Sequence, residues 1–83
     1  MGKFENTLAT ILRGASDQNI AFADLRHMLN DLGFDERIKG DHHIYTKPDI
    51  PEIINLQPLG NKAKAYQVKQ VRNLIVKHKL AKE

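Results

Sequence analysis

The sequence predicts an α+β domain in which helices cover one face of a three-stranded antiparallel sheet and leave the other face open. Three observations lead to this prediction: two apolar stripes of helical period each end at a glycine, a stretch of alternating period follows, and a third helical stripe comes last. With 83 residues, the chain is expected to form one small domain, residues 1–83, with a modest core.

The first two helices are predicted from apolar residues at spacings of three and four. The first spans residues 3–13 and ends before Gly14, and the second ends before Gly33, because glycine tolerates the left-handed conformation that closes a helix. The segment "ASDQN" forms the turn between them. The two stripes, which we expect in the core, consist of Phe4, Leu8, Ile11, Leu12, Phe22, Leu25, Met28, Leu29 and Leu32.

The period changes from helical to alternating after the second glycine. Phe34 and Ile38 alternate with charged residues, "KGD" offers a turn, and "HHIYTK" reads as a second strand. The third strand, "EIINLQ", places Ile54 and Leu56 on one face. These segments predict a three-stranded meander, and "PLGNKAK" is expected to be a loop leading to the last helix.

Basic residues concentrate at the end of the chain. From Leu59 to Lys82 there are seven lysines or arginines and no acidic residue. On the last helix, Lys69, Arg72 and Lys79 are predicted to lie opposite an apolar side formed by Val68, Val71, Leu74, Ile75 and His78. This distribution favours a polyanionic partner, although a solvated helix face would give the same count.

Composition excludes several classes of protein. The chain has no cysteine, which suits a reducing cytoplasm and leaves neither disulfides nor thiolate metal ligands. It has no apolar run of membrane-spanning length, so we expect a cytoplasmic protein that needs no membrane.

The adjacent histidines of "KGDHHIYTKPD" are the candidate site. Histidine suits general acid–base chemistry because its ordinary pKa of about 6.5 lies near working pH. Neighbours on a strand point to opposite faces, so if Ile44 is buried, His42 leans toward the helices and His43 joins Tyr45 and Lys47 on the open face. The alternation of side chains along the strand therefore favours His43 as the histidine on the open face. A metal site is a poor alternative, because the pair diverges and no third ligand stands at a suitable spacing.

The segment "GDHHIY", followed by a strand, "GNK" and the helix ending "RNLIVKHKL", resembles the HicA family of bacterial toxins. The resemblance covers residues 20–80, and the helix at 3–13 is an addition to it. The family's Gly-Ser-His segment matches at Gly40 and His42, whereas Asp41 stands where Ser is usual. The resemblance implies a double-stranded-RNA-binding-like α-β-β-β-α fold and favours His42 over His43.

The resemblance also implies a function, that of an mRNA endoribonuclease of a toxin–antitoxin system, inhibited by a HicB-like antitoxin. Cleavage without metal or cofactor requires a base for the ribose 2′-OH, an acid for the leaving oxygen and cations near the phosphate. His42 is the first candidate for the base and His43 the second. The residues expected to contact RNA are Tyr45, by stacking, and Lys47, Lys62, Lys64, Lys69 and Arg72.

Two other functions stay open. The chain could be a non-catalytic RNA-binding module of the same fold, in which the basic residues hold phosphates and the histidines are incidental. A weaker alternative is an interaction domain whose basic face meets an acidic protein. Asp41 is either a turn residue or a carboxylate that orients His43, and its charge is unfavourable beside a phosphate.

Overall fold

The computed structural model describes residues 2–81 and has the predicted α+β architecture. The helices are α1 Lys3–Arg13, α2 Phe22–Asp31 and α3 Ala65–Lys77, with a 3₁₀ turn at Asp17–Asn19. The strands are β1 Asp35–Lys39, β2 His42–Lys47, β3 Ile50–Leu56, β4 Pro58–Leu59 and β5 Lys62–Ala63. The order α-β-β-β-α, preceded by an extra helix, is therefore confirmed. Lys82, the last residue of the acid-free segment, lies outside the described residues.

The two predicted glycine stops close their helices as expected. Gly14 has a φ of 77° and donates its N–H to the carbonyl of Ile11, and Gly33 has a φ of 98° and donates to the carbonyl of Asn30. Both conformations are left-handed, which a side chain would disfavour. Glycine at these positions thus sets where each helix ends and where the chain turns toward the next element.

The sheet is an antiparallel meander in the order β1-β2-β3. A two-residue turn, Gly40 and Asp41, joins β1 to β2 and leaves Lys39 paired with His42. Gly40 has a φ of 63° at the first central position, where a type II′ hairpin turn requires a positive value. This tight turn places the candidate residues at one end of the sheet.

One continuous core lies between the three helices and one face of the sheet. It includes Ile11 of α1, Leu25 of α2, Ile54 and Leu56 of β3 and Val68 of α3, all of which are fully buried. On the other face Ile44 is half-buried and Ile53 is exposed. The prediction of helices on one face and an open second face is confirmed.

The faces of β2 are the reverse of what alternation predicted. Tyr45 is fully buried against the helices, so His43 shares its face, while His42 lies with Ile44 on the open face. The expectation that Ile44 is buried and that His43, Tyr45 and Lys47 are open was wrong. The reason is that the larger Tyr45 ring fills the core opposite Ile54 and its hydroxyl finds a buried partner.

The segment expected to be a loop between the sheet and α3 contains a small hairpin. β4 pairs with β5 through Gly60 and Asn61, and the hairpin is tied to the start of α2 by backbone hydrogen bonds from Phe22 to Asn61 and from Ala63 to Ile20. The hairpin therefore carries Lys62 and leads directly into α3.

Within residues 2–81, none of the helices combines the length and the apolar character needed to cross a bilayer.

Candidate functional site

His42 stands at the start of β2, with its side chain on the open face and 48% exposed. Its Nδ1 lies 3.2 Å from Oδ1 of Asn55 in β3, an amide oxygen that accepts hydrogen bonds. When Nδ1 carries the hydrogen of a neutral imidazole, Nε2 has the free lone pair. His42 thus has an accessible nitrogen that can accept a proton.

Asp41 joins His42 to a chain of polar side chains. One oxygen of Asp41 lies 3.8 Å from Nε2 of His42, and the other accepts a hydrogen bond from the amide of Gln57 at 2.8 Å. The side-chain oxygen of Gln57 in turn accepts from Nζ of Lys64 at 3.3 Å. The hydrogen bond from Gln57, helped by the positive charge of Lys64, lowers the pKa of Asp41. A carboxylate therefore lies beside His42, and an ammonium group is linked to that carboxylate through Gln57.

Gln67, in the first turn of α3, fastens this part of the sheet to the helix. It is buried, its Oε1 accepts from the backbone N–H of Gln57 at 3.2 Å, and its Nε2 donates to the backbone carbonyl of Asn55 at 3.3 Å. A buried amide with both ends satisfied holds its neighbours in one arrangement. The residues that touch His42 and Asp41 are therefore anchored to α3.

His43 belongs to a different environment on the helix side of the sheet. Its side chain is only 12% exposed. Its ring packs edge-on against Phe22 with centroids 4.9 Å apart, and its Nδ1–H donates to Glu36 Oε2 at 3.0 Å. The ring is thus held on two sides, and most of it is closed to a large substrate.

Glu36 is the centre of that helix-side cluster. It accepts two hydrogen bonds from the guanidinium of Arg26, at 2.8 and 3.2 Å, and one from the hydroxyl of Tyr45 at 2.6 Å. The hydrogen bonds from Arg26, Tyr45 and His43 outweigh burial and lower the pKa of Glu36 to about 2. Burial, followed by the hydrogen bond to Glu36, raises the pKa of Tyr45. The cluster is a satisfied internal network.

The prediction that Tyr45 stacks on an RNA base is wrong in this fold, because its ring is 0% exposed. The aromatic side chain that does face solvent in the basic region is Tyr66 in the first turn of α3, which is 66% exposed. Its hydroxyl accepts a hydrogen bond from Gln67 at 3.4 Å, which links it to the residues around His42. An exposed aromatic ring for stacking is therefore available at the start of α3, on a residue that was not predicted from the sequence.

The predicted basic residues do not converge on one point. Lys64 lies in the polar chain around Asp41, and Lys62 and Lys69 are exposed. Lys47 is at the far end of β2, beside Gly33, about 16 Å along the strand from His42 at the usual rise per residue. We therefore place Lys64 in the candidate site, Lys62 and Lys69 on the same basic surface, and Lys47 outside it.

Arg72 has a structural partner. Its Nη1 donates to Asp17 at 2.8 Å and to the backbone carbonyl of Ile11 at 3.2 Å, and its side chain is 18% exposed. These bonds tie α3 to the end of α1 and to the 3₁₀ turn. The guanidinium is therefore engaged within the protein, in contrast with the free phosphate-binding role expected for it.

Three further residues join the site that the sequence interpretation did not select. They are Lys39, which pairs with His42 across the hairpin, and Asn55 and Gln57, which contact His42 and Asp41. The spacing of "KGDH" around a two-residue turn was the available signal for Lys39. The register of β3 against β2, which brings in the other two, is not readable from spacing alone.

The described residues contain no group of three or more His, Cys, Asp or Glu side chains arranged to hold a metal ion. Comparison with known proteins gives no match to any family model, to any curated protein or to any solved structure. The resemblance to HicA toxins therefore rests on the "GDHHIY" and "GNK" segments, the helix ending "RNLIVKHKL" and the order of elements.

Proposed function

We propose that the protein is a metal-independent endoribonuclease that cleaves mRNA, with His42 as the general base. The observation that carries this proposal is the contrast between the two histidines: His42 is on the open face with Nε2 accessible, and His43 is packed between Phe22 and Glu36. A general base must be able to contact the proton that it removes, so the exposure of His42 favours it over His43 for this role.

In the proposed reaction, Nε2 of His42 takes the proton of a ribose 2′-OH. The 2′-oxygen attacks the adjacent phosphorus, and the bond from phosphorus to the 5′-oxygen of the next nucleotide breaks. The products are a 2′,3′-cyclic phosphate and a 5′-hydroxyl, whose proton comes from water at this open surface. Lys64, within hydrogen-bonding distance of Gln57, is the cation that would offset charge building on the phosphate.

RNA is proposed to reach this site across the surface formed by β5 and the start of α3. Lys62, Lys64 and Lys69 supply positive charge there, and Tyr66 supplies an exposed ring for an unpaired base. From the resemblance, a HicB-like antitoxin is the proposed inhibitor, and it would cover His42 and this basic surface.

A non-catalytic RNA-binding module is the second candidate, and one observation favours it. The carboxylate of Asp41 lies 3.8 Å from Nε2 of His42, where a phosphate would approach, and repels it. RNA binding by the basic surface does not require a phosphate beside His42, so it would persist.

Expression of the chain without a partner separates the two candidates. For a ribonuclease we expect growth arrest with loss of cellular mRNA, relieved by His42→Ala and enhanced by Asp41→Ser, which removes the repelling charge. Normal growth of cells producing folded protein that binds RNA, with no cleavage by Asp41→Ser, favours the binding module. Co-expression of a neighbouring antitoxin-like gene that restores growth supports the proposed partner.

A further inference from the structure

Asn55 is the polar residue of β3 that meets His42 across the sheet. We infer that Asn55 is a positioning residue, which holds the neutral ring of His42 with its hydrogen on Nδ1 and leaves Nε2 as the proton acceptor. Whether this tautomer contributes to RNA cleavage rests on the proposed function. The position of the hydrogen, however, is a property of the free protein and is measured without RNA.

The geometry assigns the direction of the hydrogen bond. Oδ1 of Asn55 lies 3.2 Å from Nδ1 of His42, and an amide oxygen can only accept, so Nδ1 must donate. Asn55 is itself held by its register opposite Ile44 and by the hydrogen bond from Gln67 to its carbonyl. The acceptor thus sits on a paired strand that α3 supports.

A second acceptor acts on the other side of the ring. Oδ1 of Asp41 lies 3.8 Å from Nε2 and would attract a hydrogen there. Free histidine in water also prefers its hydrogen on Nε2, and in that form Nε2 has no lone pair to accept a proton. Asn55 therefore opposes both the intrinsic preference and Asp41, so its loss should turn the accepting nitrogen into a donor.

Nitrogen NMR on the free protein tests this directly. Protein with ¹⁵N-labelled histidine is examined at an alkaline pH, where histidine is ordinarily neutral. The proteins compared are the wild type, Asn55→Ala and Asn73→Ala, which changes an exposed asparagine of α3. We expect the hydrogen of His42 on Nδ1 in the wild type and in Asn73→Ala, and on Nε2 in Asn55→Ala. A wild type with the hydrogen on Nε2, or an unchanged tautomer in Asn55→Ala, overturns the inference.

Cleavage kinetics separate positioning from packing. For Asn55→Ala we expect kcat/KM on RNA to fall about tenfold, with RNA affinity unchanged. This loss is smaller than the roughly hundred- to ten-thousandfold rate increase that a general base contributes, because His42 itself is still present. Asn55→Asp should restore most of kcat, because its carboxylate also accepts from Nδ1, while its charge, like that of Asp41, should raise KM for RNA. A loss of kcat that Asn55→Asp does not restore overturns the positioning role. If the wild type does not cleave RNA, the proposed function fails, and the tautomer alone decides whether Asn55 positions His42.

Discussion

The carboxylate of Glu36 lies 3.0 Å from Nδ1 of His43, and this contact separates two histidines that are neighbours in the chain. Because the same carboxylate also binds Arg26 and Tyr45, His43 is one corner of a buried network that joins α2, β1 and β2. His42, one residue earlier, points to the opposite face and makes its contacts with Asn55 and Asp41. His42 is therefore accessible to a substrate, whereas His43 stabilises the fold.

Replacing His43 should destabilise the fold. His43→Ala removes a hydrogen bond to Glu36 and the edge-on contact with Phe22, so we expect the free energy of unfolding to fall by about 1–3 kcal/mol. His42→Ala removes an exposed side chain and should change it by less than about 0.5 kcal/mol. Urea unfolding followed by circular dichroism measures both. Equal effects of the two substitutions would contradict the assignment of their environments.

Stability should fall in acid because of Glu36. Its pKa drops from an ordinary 4.5 to about 2 on folding, so the folded state binds fewer protons than the unfolded state between those values. The stabilisation is complete above about pH 4.5 and is lost as the pH falls toward 2. The full shift corresponds to roughly 3 kcal/mol, and we expect about 1–2 kcal/mol because Arg26, its strongest partner, is 35% exposed and solvent screens the pair.

The variant Glu36→Gln separates the contribution of Glu36 to the pH dependence of stability from that of other acidic residues. One of these is Glu52, whose pKa is also lowered by hydrogen bonds from Lys77 and His78. Unfolding free energies are measured from pH 2 to pH 6 for the wild type, Glu36→Gln and Asp31→Asn, an exposed control. We expect a shallower pH dependence only in Glu36→Gln. Parallel curves for all three proteins would contradict the account of the cluster.

Tyr66, and not Tyr45, should contribute to binding of single-stranded RNA. Tyr66→Ala should weaken binding by about 1–3 kcal/mol, the range for loss of a stacked base, and Tyr66→Phe should keep most of the affinity. Tyr45→Phe should leave RNA affinity unchanged and lower stability, because it removes the hydroxyl bonded to Glu36. Fluorescence anisotropy with a labelled oligonucleotide measures the affinities. Unchanged affinity of Tyr66→Ala would remove this residue from the interface.

Lys64 and Arg72 should behave differently although both were predicted to hold phosphates. Lys64→Ala should reduce RNA affinity and lower the slope of log affinity against log salt by about one. Arg72→Ala should mainly destabilise the fold, by about 1–3 kcal/mol, since it leaves Asp17 without its donor and removes one of the two donors to the Ile11 carbonyl, the other being the N–H of Gly14. Lys47→Ala, at the far end of β2, serves as the matched control. A salt slope that falls equally for all three substitutions would contradict the localised basic surface.

Local patterns were sufficient to predict most of the architecture. The first helix has the predicted bounds, residues 3–13, and the helix ends follow from glycines whose positive φ only a residue without Cβ adopts easily. The small β4–β5 hairpin was missed because strands of two residues have no periodicity to detect. Its pairing depends on contacts with Ile20 and Phe22, about forty residues earlier in the chain.

The faces of β2 were mispredicted for a physical reason. Ile44 and Tyr45 are both apolar enough to be buried, so alternation alone does not decide between them. The outcome depends on Glu36 and Arg26, which satisfy the Tyr45 hydroxyl from another strand and a helix. The same inversion brings His42 to the open face, and the contacts of Asn55 and Gln57 follow from strand register.

Cleavage of RNA by the purified protein in the presence of EDTA tests the central claim most directly. We expect the wild type and His43→Val, which keeps a buried apolar side chain beside Phe22, to release fragments ending in a 2′,3′-cyclic phosphate. His42→Ala, folded to the same extent by circular dichroism, should reduce the rate by roughly a hundredfold or more. Absence of cleavage by the wild type, or full activity of His42→Ala, would contradict the assignment of His42 as the base.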